Sequence, residues 1–289
     1  MKHFIKSIYS KLPFKKQIFS VLRIFHFPES IFKHLYFKGV INIRFDKYHF
    51  KINHYGYQLE NELFWKGLTN GWEKVSMQLW IQLSNESSVI IDIGANTGIY
   101  SLVSKSVNKK ADVFAFEPVR RVCDKLRANA QLNQFDIKIF EFALSNNDGH
   151  AIIYDAPTEH VYSVAVNKNI AEINNAIETK IEIKKLSSFI KEQNIKHIDL
   201  IKLDVETHEP EVLEGMEEYL QKYKPTWLIE ILNDEVGYKV QQLIKDIDYL
   251  YFNINEIGKP RQVAEIKKSD FYNYLICSPQ VAKQLKLIN

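Results

Sequence analysis

Residues 89–101 read Val89-Ile-Ile-Asp92-Ile-Gly94-Ala95-Asn96-Thr97-Gly98-Ile-Tyr100-Ser101. An apolar run ends in an acid, a turn with two glycines follows, and a second apolar run opens behind it. The first run has the length and composition of a buried strand, and the second begins a helix. Glycine in such a turn lets backbone approach a ligand and supplies dihedrals that other residues resist. The turn therefore falls at the carboxyl end of a strand, where open α/β sheets bind their ligands. Its spacing separates cofactor classes. A nicotinamide fingerprint needs Gly-x-Gly-x-x-Gly, whereas here Ala95, Asn96 and Thr97 separate Gly94 from Gly98. No Gly-Lys-Ser/Thr run is present either, which argues against a nucleotide triphosphatase.

Downstream, strand and helix alternate. Strands are expected near 88–93, 112–117, 137–142, 198–204 and 226–231, and helices near 98–107, 119–133, 209–223 and 234–246. This rhythm predicts a doubly wound, mostly parallel sheet with helices on both faces. Two further strands, 249–255 and 271–278, lack an ordinary helix between them and predict an antiparallel pair at the sheet edge. Between 150 and 185 the pattern is less regular, with strands at 150–154 and 179–185 around a loop and short helix at 155–178. The second strand of the alternation ends Ala115-Phe116-Glu117-Pro118, and Glu117 lies 23 residues beyond Gly94. An acid at that distance can accept hydrogen bonds from the ribose hydroxyls of an adenosine.

The chain has 289 residues, 46% of them hydrophobic and 25% charged, so it can bury a large core and is not a disordered chain. The net charge of +3 is unevenly spread. Residues 1–38 hold eight Lys or Arg against one acid, which leaves 30 bases and 34 acids for 39–289, a net of −4. A catalytic region of that sign does not suit a nucleic-acid partner. Two cysteines far apart, Cys123 and Cys277, exclude a disulfide scaffold and fit a reducing cytoplasm. In the first 70 residues, a helix with Ile18, Phe19, Leu22 and Phe25 on one side precedes a β-hairpin over 40–53 and a helix at 58–66, and a further helix at 71–83 follows. Residues 1–70 thus read as an N-terminal helical and hairpin extension to a domain of 71–289. The helix is expected to pack as a cap. The competing reading lays residues 1–38 on an anionic membrane surface, peripheral at its inner face.

The ordered set Asp92-Ile-Gly-Ala-Asn-Thr-Gly98, Phe116-Glu-Pro118, Ala143-Leu-Ser145 with Asp148-Gly149, and Ile201-Lys-Leu-Asp204-Val-Glu206 followed by Glu209 and Leu213-Glu-Gly215 resembles the FkbM family of S-adenosylmethionine-dependent methyltransferases. The resemblance covers about residues 70–235. It implies a Rossmann-like, class I methyltransferase sheet of seven strands, the last antiparallel. It also implies S-adenosylmethionine as cofactor. Gly94, Asn96 and Gly98 would serve its methionine side, Glu117 its ribose, and Ala143 and Leu144 its adenine. Asp92 would brace the glycine turn or reach the cofactor through water.

Methyl transfer to a hydroxyl needs a base near the acceptor as well as a positioned methyl donor. Lys202-Leu-Asp204-Val-Glu206-Thr207-His208-Glu209 follows the fourth strand, and alternation puts Lys202, Asp204 and Glu206 on one face. His208 is the candidate base, with Asp204 or Glu206 orienting it, and Asp204 is also a candidate for the cofactor's ammonium group. Glu209 would then cap the next helix, and the carboxylates are accounted for without a metal. Thr207 departs from the family, which usually has Gly there. Glu230, at the end of another strand, is a further acid for the cleft, and Tyr57, Glu60 and Trp72 are candidates to close it. The expected function is O-methylation of a small molecule or glycan. A domain that binds the cofactor without turnover, or a methyltransferase for another acceptor class, is the alternative.

Overall fold

The computed structural model describes residues 13–156, 163–165 and 177–289. Helix α1 (Lys15–Leu22) and the short α2 (Glu29–Phe32) bring Phe19 and Phe32 under Trp65, with ring centroids 5.8 and 6.1 Å from the indole. The inner side of α1 is therefore a packed cap. The expected apolar stripe only partly faces inward, however: Phe19 is buried and Leu22 half-buried, while Ile18 and Phe25 are exposed. Strands β1 (Gly39–Phe45) and β2 (Tyr48–His54) pair antiparallel through a two-residue turn, with Phe45 opposite Tyr48. Alternation turns Ile41, Ile43, Phe45, Phe50 and Ile52 into the core. Helix α3 (Gln58–Lys66) follows the hairpin, and α4 (Lys74–Glu86) leads into the central sheet.

The central elements follow in order: β3 (Val89–Ile93), α5 (Ile99–Val107), β4 (Asp112–Phe116), α6 (Arg120–Asn133) and β5 (Ile137–Phe140). An inserted sheet comprises β6 (Ala143–Ser145), β7 (Gly149–Ala156), β8 (Ser163–Ala165) and β9 (Ile177–Lys185). Next come α7 (Leu186–Glu192), β10 (Leu200–Leu203), α8 (Glu209–Glu214), α9 (Glu218–Tyr223), β11 (Thr226–Glu230) and α10 (Asp234–Ile244). The chain ends with β12 (Leu250–Asn253), β13 (Arg261–Val263), β14 (Asn273–Cys277) and α11 (Pro279–Gln284).

The main sheet has the order β13-β12-β14-β11-β10-β3-β4-β5. Five strands from β11 to β5 run parallel, and strand order reverses between β3 and β10. That switch point opens the crevice in which such sheets hold ligands. Apolar residues from the two faces of β3 enter different cores. Ile90 joins the hairpin, α5 and α6, while Ile91 and Ile93 join α7, α8 and α10. The hairpin belongs to the first of these cores, and it is tied to α6 where Asn53 N–H donates to Asn129 Oδ1 at 2.9 Å.

Three expectations change. The last two predicted strands do pair antiparallel at the sheet edge, with β14 also antiparallel to β11, but the three-residue β13 outside β12 makes eight strands where seven were implied. The predicted helix 209–223 is two helices. Gly215 lies so close to the inserted sheet that a Cβ there would fall 1.9 Å from the Ser145 carbonyl oxygen, and Glu217 turns the chain with φ of 51°. The third parallel strand stops at Phe140, and Ala143–Ser145 pairs with β9 in the inserted sheet instead. Of the loop and short helix expected over 155–178, residues 157–162 and 166–176 lie outside the described residues, and 163–165 form a strand against β7.

Candidate active site

A cavity of about 410 Å³ lies over the carboxyl ends of β3, β4, β10 and β11. The glycine turn forms its floor. Gly94 has φ of 77° and donates its N–H to the Phe116 carbonyl at 3.0 Å. A Cβ at Gly94 would meet the Asp204 carbonyl oxygen at 1.9 Å, so glycine is required twice, by dihedral and by contact. Gly98 (φ 90°) caps α5 and faces Leu126, while Asn96 holds φ of 51° between them. Asp92 is buried beneath the turn, where its carboxylate accepts from Ser101 N–H at 3.0 Å and Ser101 Oγ at 2.6 Å. Burial pushes its pKa up to about 6. Asp92 thus braces the turn and also lines the cavity.

Glu117 lies at the next strand end. One carboxylate oxygen accepts from Asn96 N–H at 3.0 Å and the other from Val119 N–H at 2.9 Å. Two backbone donors fix its orientation toward the cavity that it lines, and each oxygen keeps a lone pair for a further donor. Burial raises its pKa to about 7, against the pull of those N–H groups. Ala143 and Leu144 line the same cavity, but from the inserted sheet, together with Ile153, Ile181 and Ile183. The three isoleucines of this apolar wall were not assigned from sequence. Their trace there is the pair Ile152-Ile153 and the alternation Ile181-Glu182-Ile183.

The other half of the cavity is acidic. Asp204, Glu206 and Glu230 line it around one base, Lys202, which is buried with its Nζ 3.2 Å from Asp204 Oδ2. Burial alone would lower the Lys202 pKa, but Asp204, Glu73 and Glu230 outweigh it and hold the ammonium firmly charged. Burial and Asp204 raise Glu206, and burial with the same carboxylate raises Glu230, against the pull of Lys202. Glu73 was not foreseen. It is buried behind this group, accepting from Tyr100 OH and from Asn273 Nδ2, the latter at 2.6 Å across 200 residues of sequence.

His208 also lines the cavity, but not with the expected partners. Its Nε2 lies 2.9 Å from Ser145 Oγ and its Nδ1 3.5 Å from Glu211 Oε2. Asp204 is engaged by Lys202 instead. The strand has already ended at Leu203, so alternation does not carry on to place Asp204 or Glu206 beside the ring. Burial lowers the His208 pKa below its ordinary 6.5, against Glu211 and Glu214. The turn between is held by Glu209, whose carboxylate accepts from Val205 N–H at 3.1 Å. Glu206 and Thr207 lie in the left-handed region, with φ of 56° and 81°. The dihedral at 207 is one that glycine adopts freely and a β-branched residue resists. Among the described residues, no three His, Cys, Asp or Glu side chains converge as metal ligands would.

The mouth is formed by Tyr57, Gln58, Glu62 and Trp72. Glu60 is buried and takes no part in the lining, whereas Glu62, two residues further and on the other side of α3, does. Glu62 Oε1 accepts from the Trp72 N–H at 2.8 Å and from Lys66 Nζ at 3.0 Å, which pins the loop that carries the half-exposed indole.

A sheet that reverses order beside a glycine cradle, with an acid closing the next strand, is the framework of the class I methyltransferases. The methyltransferase FkbM domain matches residues 92–253, more than half of the chain, and the chain belongs to that family. It is 31% identical over 156 residues to methyltransferase sdnD of Sordaria araneosa, covering 45% of this chain and 60% of that protein. It is 28% identical over 151 residues to the hexuronic acid methyltransferase AglP of Haloferax volcanii, covering 52% and 58%. It is 28% identical over 165 residues to the 2-O-methyltransferase NoeI of Sinorhizobium fredii, covering 52% and 65%. The chain thus spans about three fifths of the length of these curated relatives.

Proposed function

We propose that this protein transfers a methyl group from S-adenosylmethionine to a hydroxyl group of a glycan or small molecule. The observation that carries the reading is the division of one cavity into a glycine-floored, apolar-walled half and an acidic half. When bound, the cofactor supplies an electrophilic methyl on a sulfonium. Gly94 and Asn96 would cradle its methionine portion, with Gly98, which does not line the cavity, shaping the turn from behind against Leu126; Glu117 would take its ribose hydroxyls, and Ala143 and Leu144, with Ile153 and Ile181, its adenine. Asp204 would face the ammonium group, and the surplus of carboxylates suits a cationic ligand.

On the acceptor side, His208 would take the hydroxyl proton. Burial lowers the imidazole pKa, against Glu211 and Glu214, which favours the neutral ring, and Glu211 near Nδ1 favours the tautomer with Nε2 as acceptor. An acceptor hydroxyl would displace Ser145 from that nitrogen. Glu206 and Glu230 line the same half and are the competing bases. A glycan acceptor is supported by two relatives named for methylating a hexuronic acid and a 2-O position, and by the aromatic pair Tyr57 and Trp72 at the mouth. We place the protein in the reducing cytoplasm, since Cys123 and Cys277 are both buried free thiols. Incubation with methyl-labelled cofactor and a panel of sugars, glycolipid headgroups and small alcohols tests the reading. Label should enter an O-methyl group. Cofactor binding without label transfer to any acceptor would favour the domain without turnover.

A further inference from the structure

Helix α1 carries apolar side chains on both of its sides. Phe19 points inward, between Phe37 and Trp65. On the opposite side Ile18 and Val21 continue into the N-cap Phe14 and into Phe25 of the 3₁₀ turn Arg23–Phe25 that follows, at intervals of four, three and four residues, close to the spacing of one helical stripe. Phe14, Val21, Ile24 and Phe25 each keep 62–71% of their surface in solvent. Scattered exposed apolar residues are ordinary, but a contiguous stripe of this kind marks a contact surface.

The charge around the stripe selects what covers it. Residues 13–38 contain Lys15, Lys16, Arg23, Lys33 and Lys38 against the single acid Glu29, although Arg23 lies over the Phe64 ring and Lys16 Nζ donates to the Val40 carbonyl. Glu29 itself lies 3.8 Å from Lys66 Nζ. Two copies of the chain pressed together here would set base against base. The stripe is also about 16 Å long, short for a self-associating seam. An anionic bilayer meets both features at once, with aromatic and aliphatic side chains entering the headgroup boundary and lysines among the phosphates. We infer that the outer side of α1 and of the 3₁₀ turn after it, from Phe14 to Phe25, docks this protein on an anionic membrane surface. Helix α3 links this surface to the cavity, since Leu59 and Glu62 line the mouth while Phe64 and Trp65 hold the cap. Among the described residues no helix is long and apolar enough to cross a membrane, so the contact is peripheral.

Sedimentation of the full chain with vesicles tests this without reference to catalysis. The chain should pellet with phosphatidylglycerol-containing vesicles and not with pure phosphatidylcholine, and raising the salt to about 0.5 M should release it. A Val21→Ser/Phe25→Ser variant, altered only at exposed positions, should keep the parental melting temperature and lose about tenfold or more in partition. Absence of pelleting, equal binding to neutral vesicles, or undiminished binding by the melting-competent variant would overturn the inference. So would a doubled size on gel filtration that the variant abolishes, which would assign the stripe to a second copy.

Discussion

Two turns leave adjacent strands of the main sheet and meet over the cavity, and they are built in opposite ways. The turn after β3 takes its left-handed dihedrals largely on glycine, at Gly94 and Gly98. The turn after β10 takes them on Glu206 and Thr207, where no glycine relieves the strain. They touch where the missing Cβ of Gly94 admits the Asp204 carbonyl. The first turn is a relaxed backbone cradle with little side-chain chemistry of its own. The second spends backbone strain to hold Glu206 and His208 in the acidic half of the cavity, as strained residues at functional sites commonly do. On the function proposed above, the first turn would hold the cofactor, and the second would serve the acceptor through Glu206 and His208 while Asp204 faces the cofactor's ammonium group.

The sharpest way to break that division is His208→Ala. It should lower kcat and kcat/KM together by about 10²–10⁴-fold and leave cofactor affinity intact. The acid limb of the parental pH profile should lie below 6.5, because burial depresses the imidazole pKa, and it should vanish in the variant. Near-parental turnover would move the base to Glu206 or Glu230. Gly94→Ala should act on both turns at once, since its Cβ cannot coexist with the Asp204 carbonyl. A loss on the order of 3 kcal/mol, shared between stability and cofactor binding, is expected in denaturation and calorimetry. A variant that melts and binds like the parent would separate the two turns. The smallest effect is the inverse one. Thr207→Gly should relieve the left-handed strain and raise stability by about 1 kcal/mol, roughly 2–3 °C in melting temperature. A lower melting temperature would show that the threonine side chain, not its backbone, holds the turn.

The two turns were also unequally legible in the sequence. Asp92, Gly94, Gly98 and Glu117 could be placed because a strand, a tight turn and the next strand end lie within about 30 residues, and local spacing determines who meets whom. The parallel direction of the central strands followed from the same rhythm, while their order did not. The second turn depends on contacts that spacing does not encode. Ser145 reaches His208 across 63 residues, and Glu73 reaches Asn273 across 200. Asp204 was read as a partner for His208 because the two are close in sequence, yet the strand's end sends its carboxylate to Lys202. Thr207 was visible as a departure from the family, but only its φ of 81° explains why glycine is usual there. The inserted sheet escaped the βαβ rhythm because its strands pair with one another, and its isoleucines became the apolar wall of the cavity.

The central claim is that the cavity floored by Gly94 and closed by Glu117 holds S-adenosylmethionine, and calorimetric titration tests it most directly. S-adenosylmethionine or its demethylated product should bind the parent protein, and NAD should not. Affinity should weaken as pH falls through about 7, because Glu117 is then protonated and loses acceptor capacity toward the ribose hydroxyls. Folded Glu117→Ala should bind more weakly by about 1–3 kcal/mol and lose that pH dependence. Heat on NAD addition with none from either sulfonium or product, or an unchanged affinity in the Glu117 variant, would contradict the account.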